Sequence, residues 1–240
     1  MTVKEKLQLD KTGLLANGPI NIVILGDSVS HAAFTDYHNY DAVYWRVLER
    51  RLHEIRQYMP INMICAAVGG TTAKDALPRL SRDVLCHRPD LVIVCFGLND
   101  INGTLEEYLC SLQEIFERCR AAGSEVIFMT PNMLNTSVEE GVPEIYFEYA
   151  HKTAEMQNSG KMDTYIYNAA DLARKMGVTV CDCYSEWKKL SEKENITLHL
   201  ANRINHPTEP MHALFADMLY EIIVGESYIS RENDSTMYKE

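Results

Sequence analysis

The chain has 240 residues, 46% of them hydrophobic, which is enough to bury one sizeable core, and a single domain over 1–240 is predicted. Its formal net charge of −11 argues against nucleic acid and an anionic membrane surface as partners. No apolar run is long enough to predict a membrane span, and no signal-peptide pattern opens the chain, so we expect a cytoplasmic protein.

Five short apolar runs, at 20–25, 61–66, 91–96, 126–129 and 178–181, predict strands in chain order. Their hydrophobicity is continuous rather than alternating, which is typical of strands that are buried on both faces of a parallel sheet. Amphipathic helical stripes lie between or after them, most clearly at 44–59, 108–119 and 211–222. This alternation predicts an α/β fold with a doubly wound, mostly parallel sheet.

Residues 132–160 interrupt the alternation because they exceed the usual length of a connection in an α/β domain. We interpret them as an insertion over the edge of the sheet that forms a lid, a pocket wall or a subunit contact, so a homo-oligomer stays open. The alternative interpretation is a mobile loop on the surface. The polar tail from about 229 is expected to fray.

The chain contains seven cysteines, and most of them lie within apolar runs. Those in such runs are expected to be buried free thiols in a reducing compartment, namely Cys65, Cys86, Cys95, Cys110 and Cys119. Cys181 and Cys183 are two residues apart and would share one face of a strand. No second pair has zinc-ligand spacing, so we predict no metal site.

Polar residues follow the first three predicted strands, at the carboxyl ends where parallel sheets of this kind bind ligands. Ser28 follows the first strand and can be a nucleophile. Its own main-chain N–H, that of Gly70 after the second strand, and the side-chain amide of Asn99 after the third can stabilise an oxyanion. Each motif alone is more often a turn or a helix cap. Their joint placement favours a site for acyl transfer.

Acyl transfer also needs a general base, and His206 is the first candidate. It lies in the loop before the last helical stripe, where Pro207 fixes the direction of the chain. The alternative interpretation is an ordinary polar residue at a helix start. His31, three residues after Ser28, is the second candidate base.

These motifs resemble the sequence blocks of the SGNH (GDSL) hydrolase family. The run Gly26-Asp27-Ser28 resembles the first block, AAVGGTTA the glycine block, FGLND the third block and NHPT the histidine block. The four blocks occur in the family's order, and the resemblance spans residues 20–224. Each block is short, but four in the right order make the resemblance specific.

The resemblance implies a flavodoxin-like, three-layer α/β/α sandwich with a five-stranded parallel sheet, and ester hydrolysis through an acyl-serine. Ser28 and His206 would be catalytic, and Ser28, Gly70 and Asn99 would form the oxyanion hole. Asp27, Asp100 and Asn202 are expected to support the site. Residues 132–160 would help to shape the substrate pocket.

Three positions depart from the family pattern. Cys65 stands where the glycine block usually opens with Asn, and Ala67 replaces its first Gly. Arg203 stands where the family has the carboxylate of its triad, three residues before the histidine. An arginine has no acceptor for a hydrogen bond from an imidazole N–H. Either a main-chain carbonyl near 202–204 orients His206, or a carboxylate from another part of the chain does so, with Asp182 as one candidate.

The predicted function is therefore a serine esterase or acylhydrolase that acts on a small acyl ester without a cofactor, and deacetylation of a carbohydrate is the narrower expectation. Two alternatives stay open. A nucleotide- or flavin-binding module would need a glycine-rich phosphate loop after the first strand, and the sequence has none. A catalytically impaired carbohydrate-binding or scaffolding protein on the same fold is favoured by Arg203 alone.

Overall fold

A five-stranded parallel sheet lies at the centre of the computed structural model, which describes residues 1–56 and 59–225. Its strands are β1 (Ile20–Gly26), β2 (Ile61–Cys65), β3 (Leu91–Cys95), β4 (Glu125–Met129) and β5 (Thr179–Cys181). They are arranged in the order β2-β1-β3-β4-β5, the order of flavodoxin-like sheets. The prediction of an α/β fold with a five-stranded parallel sheet is confirmed. The predicted tail from about 229 lies outside the described residues.

Helices cover both faces of the sheet. Those in the described part of the chain are α1 (Val3–Lys6), α2 (Lys11–Asn17), α3 (Tyr44–Ile55), α4 (Ala73–Ala76), α5 (Leu80–Asp83), α6 (Leu105–Ala121), α7 (Phe147–Asn158), α8 (Lys161–Lys175), α9 (Cys183–Ser191) and α10 (Glu209–Val224). Helix α3 packs against α10, whereas α6 packs against both α4 and α8. None of the helices in residues 1–56 and 59–225 is long and apolar enough to cross a bilayer.

Burial explains why the strands form where the apolar runs predict them. Every residue of β3 is buried, and β1 lies between β2 and β3, so that the carboxyl end of β1 is surrounded by other strands. Gly26 at that end pairs in register with Cys95. All five predicted strands are present, and each boundary lies within one residue of its prediction.

Two predicted helical stripes are partly wrong. Helix α3 ends at Ile55, so Met59 lies beyond it, although Met59 is still buried in the core. In α10, Met211 and Phe215 are buried as expected, but Ile222 is exposed because it lies on the outward face near the end of the helix.

The cysteines are free thiols, but they are not all buried as predicted. Cys65 is exposed because it ends the edge strand β2, and Cys110 is exposed on the outward side of α6. Cys86 is exposed as well. Cys181 and Cys183 are buried with their sulfurs 3.6 Å apart, because the chain turns from β5 directly into α9 rather than continuing as a strand.

The predicted insertion contains a helix that the sequence analysis did not identify. Residues 130–143 are irregular, a 3₁₀ turn follows at Glu144–Tyr146, and α7 occupies most of the remainder. A small apolar cluster of Val142, Ala150 and Ile204 packs this segment against the loop that carries His206. The segment therefore lies beside the predicted site rather than away from it.

Candidate active site

Ser28 lies immediately beyond the carboxyl end of β1, where the chain turns sharply. Gly26 makes room for this turn, because a Cβ atom there would lie 2.9 Å from Cβ of Ser30 within the turn and 2.8 Å from the main-chain oxygen of Cys95 on β3. The Oγ atom of Ser28 is 3.0 Å from Nε2 of His206. The structure thus brings the predicted nucleophile and the predicted base into hydrogen-bond contact.

The other ring nitrogen of His206, Nδ1, lies 3.0 Å from the main-chain oxygen of Phe34. A carbonyl oxygen only accepts hydrogen bonds, so Nδ1 carries the proton, and Nε2 is left free to accept the hydroxyl proton of Ser28. The expectation of an acceptor near 202–204 is wrong. The acceptor is indeed a main-chain carbonyl, but it belongs to the loop that follows Ser28.

Neither Asp182 nor Arg203 takes part in orienting His206. Asp182 caps α9 by accepting from the N–H of Ser185, and its carboxylate pairs with Arg174 at 3.0 Å. The guanidinium group of Arg203 donates to the carbonyl of Leu198 at 2.6 Å. The Arg203 side chain thus hydrogen-bonds within its own loop, and the Asp182 side chain is engaged at the start of α9, after β5.

Asn202, predicted as a supporting residue, organises the loop that carries His206. Its Oδ1 accepts from the main-chain N–H groups of Ile204, Asn205 and His206 at 3.0, 2.9 and 2.9 Å. Its Nδ2 donates to Oδ1 of Asn205 at 2.8 Å. One side chain therefore satisfies three successive backbone donors, which is how Asn stabilises turns.

The loop that supplies the Phe34 carbonyl is fixed by packing. The Phe34 ring is buried, with its centroid 4.9 Å from that of His212 and 6.0 Å from that of Tyr37. Ala32 adopts φ +64°, and Arg203 in the histidine loop adopts φ +60°. Left-handed backbone at residues other than glycine is strained and clusters at functional sites. Sequence reasoning missed Phe34 because its contribution comes from the main chain.

The oxyanion candidates line the same cavity as Ser28 and His206. Gly70 and Asn99 both contribute to its wall, and Gly70 adopts φ +75°, which favours glycine at this turn. The Asn99 amide donates to the main-chain oxygen of Thr71 at 3.0 Å and lies 3.5 Å from Oδ2 of Asp27. The second of these contacts is weak, so one N–H remains available to a ligand.

Two predicted supporting carboxyl groups are buried next to cavity residues in sequence, Asp27 before Ser28 and Asp100 after Asn99. Asp27 accepts from the N–H of Val29 at 3.0 Å, and Asp100 accepts from the N–H of Ala73 at 2.8 Å. Burial raises the pKa of Asp27 to about 7 and the pKa of Asp100 to about 6. Their observed contacts brace the backbone after β1 and at the start of α4.

Burial lowers the pKa of His206 below its ordinary value, the Phe34 carbonyl opposes this shift, and His38 adds to it. The imidazole is therefore neutral at pH 7, as a general base must be. His31, the second candidate base, contacts His38 at 4.9 Å between ring centroids and lies 3.5 Å from the hydroxyl of Tyr40. Burial lowers the pKa of His31 as well.

Ser28 opens into a cavity of about 590 Å³. Its wall consists of Ser28, Thr35, Asp36, Gly69, Gly70, Asn99, Gly141, Pro143, Tyr146, Tyr149, Ala201, Asn202, Ile204, Asn205 and His206. Four of these residues lie in the segment predicted as an insertion. Among the described residues that form this wall, Asp36 is the only carboxylate and none is a lysine or arginine. Across residues 1–56 and 59–225, no three His, Cys, Asp or Glu side chains are grouped as a metal ion would require.

Solved structures similar to this chain include two of interest. A catalytic mutant of Axe2, an acetylxylan esterase from Geobacillus stearothermophilus, is 18% identical with a TM-score of 0.68; the alignment covers 86% of this chain and 95% of that one. A protein described as a GDSL-like lipase from Parabacteroides merdae is 16% identical with a TM-score of 0.66, over 85% and 95% of the two chains. At these identities the likeness establishes the fold.

Sequence comparison assigns the family. No curated protein matches the chain significantly. A family model for GDSL-like lipases and acylhydrolases, however, matches residues 24–214, a span that includes Ser28, Gly70, Asn99 and His206. The chain belongs to the GDSL-like lipase/acylhydrolase family and is an ester hydrolase of the SGNH type.

Proposed function

We propose that the protein is a serine esterase that removes a small acyl group, and specifically an acetyl group, from a hydroxyl of a carbohydrate. The observation that carries the proposal is the hydrogen-bonded series Ser28 Oγ, His206 and the Phe34 carbonyl at the floor of a cavity. A nucleophile, a base and a group that orients the base are the parts that acyl transfer through an acyl-serine requires.

In the proposed reaction, His206 Nε2 takes the proton of Ser28 as Oγ attacks the ester carbonyl. The main-chain N–H groups of Ser28 and Gly70 and the Asn99 amide stabilise the negative charge on the carbonyl oxygen. The protonated His206 then gives its proton to the departing alcohol. A water molecule, deprotonated by the same imidazole, attacks the acyl-serine, and His206 returns that proton to Ser28 Oγ as the acid is released.

The Phe34 carbonyl takes the place of the family's triad carboxylate in this scheme. It fixes the same imidazole tautomer, because it can accept only from a protonated Nδ1. It stabilises the imidazolium less than a full negative charge would. In Axe2, by contrast, catalytic mutants have been solved at an aspartate and at a histidine three residues later. The protein thus keeps the orienting function and loses part of the electrostatic one.

The carbohydrate part of the proposal has two supports. The solved neighbours include an acetylxylan esterase, which is also described as an acetyl-xylooligosaccharide esterase. The cavity is of the size that takes a drug-sized ligand, so it has room for much more than an acetyl group. The additional space, between Tyr146, Tyr149 and the histidine loop, suits the alcohol part of the ester. The cytoplasmic location stays a prediction.

The alternative of a catalytically impaired protein rests on Arg203. Substitution of Ser28 or of His206 distinguishes that alternative from the proposal. Ser28→Ala and His206→Ala should each lower kcat on p-nitrophenyl acetate by about 10⁴-fold or more, since the two side chains act as a unit. Matched controls are Ser159→Ala and His53→Ala, which change exposed residues outside the cavity.

Circular dichroism of each variant should show an intact fold. Activity of Ser28→Ala within about tenfold of the parent enzyme would contradict the proposal. A parent enzyme that hydrolyses neither p-nitrophenyl acetate nor acetylated xylooligosaccharides would favour the impaired alternative. An active His206→Ala variant would instead direct the search for a base to His31.

A further inference from the structure

Several exposed apolar side chains lie in the chain segments that also contribute residues to the wall of the cavity. In residues 1–56 and 59–225, eleven large apolar side chains are exposed. Six of them form what we call the mouth rim: Tyr37, Tyr40, Val68, Ile145, Tyr146 and Phe147. They come from three segments that are distant in sequence. Scattered single apolar residues are ordinary on a protein surface, but a group around one opening indicates a binding surface.

Each segment of the mouth rim adjoins the wall of the cavity. Tyr37 follows Asp36, and Val68 precedes Gly69, both of which line the cavity. Tyr146 lines it directly, and its two rim neighbours flank it in sequence. The hydroxyl of Tyr40 lies 3.5 Å from His31, whose Nδ1 would be 3.9 Å from a Cβ atom on Gly69. The rim is thus continuous with the site of the proposed reaction.

The chemistry of the rim fits sugar rings. Four of its six side chains are aromatic, and the apolar C–H face of a pyranose ring packs well against the electron-rich face of an aromatic ring. Exposed carboxylates are sequence neighbours of these residues: Asp36 precedes Tyr37, and Glu144 and Glu148 bracket the Ile145–Phe147 run. Carboxylate oxygens accept hydrogen bonds from hydroxyl groups.

The same carboxylates argue against two other occupants. A second copy of this chain, with its net charge of −11, would bring like charges against the rim. An anionic lipid surface would meet the same repulsion. An uncharged ligand with many hydroxyl groups meets none, and it can use both the rings and the acceptors.

We propose that the mouth rim binds the sugar units next to the acylated one, so that the protein acts on neutral oligosaccharide or polysaccharide esters in preference to monosaccharide esters. The proposal rests on the esterase function given above and extends it from the cavity to the surface around it. The acylated unit lies in the cavity over Ser28, and its neighbours stack on aromatic rings of the mouth rim.

Binding to the inactive Ser28→Ala protein tests the proposal without turnover. Calorimetry should give a dissociation constant for acetylated xylotetraose at least about tenfold below that for acetylated xylose, since each stacked ring contributes roughly threefold to tenfold. Adding Tyr40→Ala or Phe147→Ala should reduce this ratio by about threefold to tenfold each. Tyr167→Ala, which removes an exposed tyrosine from α8 outside the rim, should leave the ratio unchanged.

Several results would overturn the proposal. These are equal affinity for the two ligands, or a ratio that the rim substitutions do not change. A parent enzyme that prefers emulsified long-chain esters or acetylcholine would assign the rim to lipid or to a cation. A dimer in solution that Phe147→Ala dissociates would assign it to a second copy. Failure of the esterase function gives a different signature, namely no hydrolysis of p-nitrophenyl acetate by the parent, and it leaves the binding comparison intact.

Discussion

Oγ of Ser28 lies 3.0 Å from Nε2 of His206, but the two residues are held in place by different kinds of local structure. Ser28 follows β1, which pairs with β2 on one side and with β3 on the other, so many main-chain hydrogen bonds set its position. His206 lies in an irregular loop outside the sheet, where the Asn202 side chain accepts from three successive N–H groups and Asn132 donates to the carbonyl of Asn205. The His206 ring is oriented by one distant carbonyl. The sheet edge is therefore held by main-chain pairing of neighbouring strands, whereas the histidine loop relies more on side-chain contacts, chiefly those of Asn202.

This difference implies that substitutions in the two regions fail in different ways. At the sheet edge, replacing a side chain should remove a chemical group and leave the backbone in place. In the histidine loop, replacing Asn202 should displace the backbone around His206, and the loss of activity follows from that displacement. The predictions for Asn99 and Asn202 test this contrast, and a third, with the smallest expected effect, concerns the ionisation of His206.

Asn99→Ala tests the sheet edge. It should lower kcat on p-nitrophenyl acetate by about 10²–10³-fold with a smaller change in KM, because the amide acts on charge that develops in the transition state. Thermal unfolding should show little loss of stability. Asn168→Ala, on the exposed side of α8, is the matched control. An increase in KM alone would mean that Asn99 binds the substrate in its ground state.

Asn202→Ala tests the histidine loop. It leaves three backbone N–H groups without their acceptor, so we expect kcat to fall roughly 10- to 100-fold through misplacement of His206. Unlike Asn99→Ala, it should also lower the free energy of unfolding by about 1–3 kcal/mol, measured by urea denaturation.

Asn202→Asp provides the conservative comparison, because it keeps the oxygen that accepts from the three N–H groups and loses the donor to Asn205, so it should restore only part of both losses. Arg203→Ala is the neighbouring control; its side chain contacts Leu198 and Leu200 rather than His206, so kcat should change only modestly. Two observations would contradict the contrast between the regions: an Asn202→Ala variant that keeps its stability, or an Arg203→Ala variant that loses activity as Asn202→Ala does.

The same contrast explains what the sequence could predict. The five strands and the residues at their ends were predictable, because continuous hydrophobicity is a local signal and parallel strands bring their carboxyl ends together. His206 was predictable from its motif. The acceptor of its N–H was not, because any residue's main chain can supply a carbonyl and Phe34 is 172 residues away. Helix α7 was also missed, since only its packing beside Ile204 distinguishes it from a long connection.

The smallest expected effect is on the pH dependence of kcat/KM, which follows the ionisation of His206. Since burial lowers the pKa of His206, and His206 acts as a base only when neutral, kcat/KM should fall with decreasing pH only below about 6.5. The Phe34 carbonyl raises the pKa, but without a full charge it does not reverse the effect of burial. Positive charge on His38 lowers the pKa of His206 further, so His38→Gln should move the acid limb to higher pH. The measurement is kcat/KM for p-nitrophenyl acetate between pH 4 and 8, with His53→Gln as the control on an exposed helical histidine. An acid limb above pH 7 would mean that a negative charge stabilises the imidazolium in solution, and a carboxylate would then have to replace the carbonyl as the partner of Nδ1.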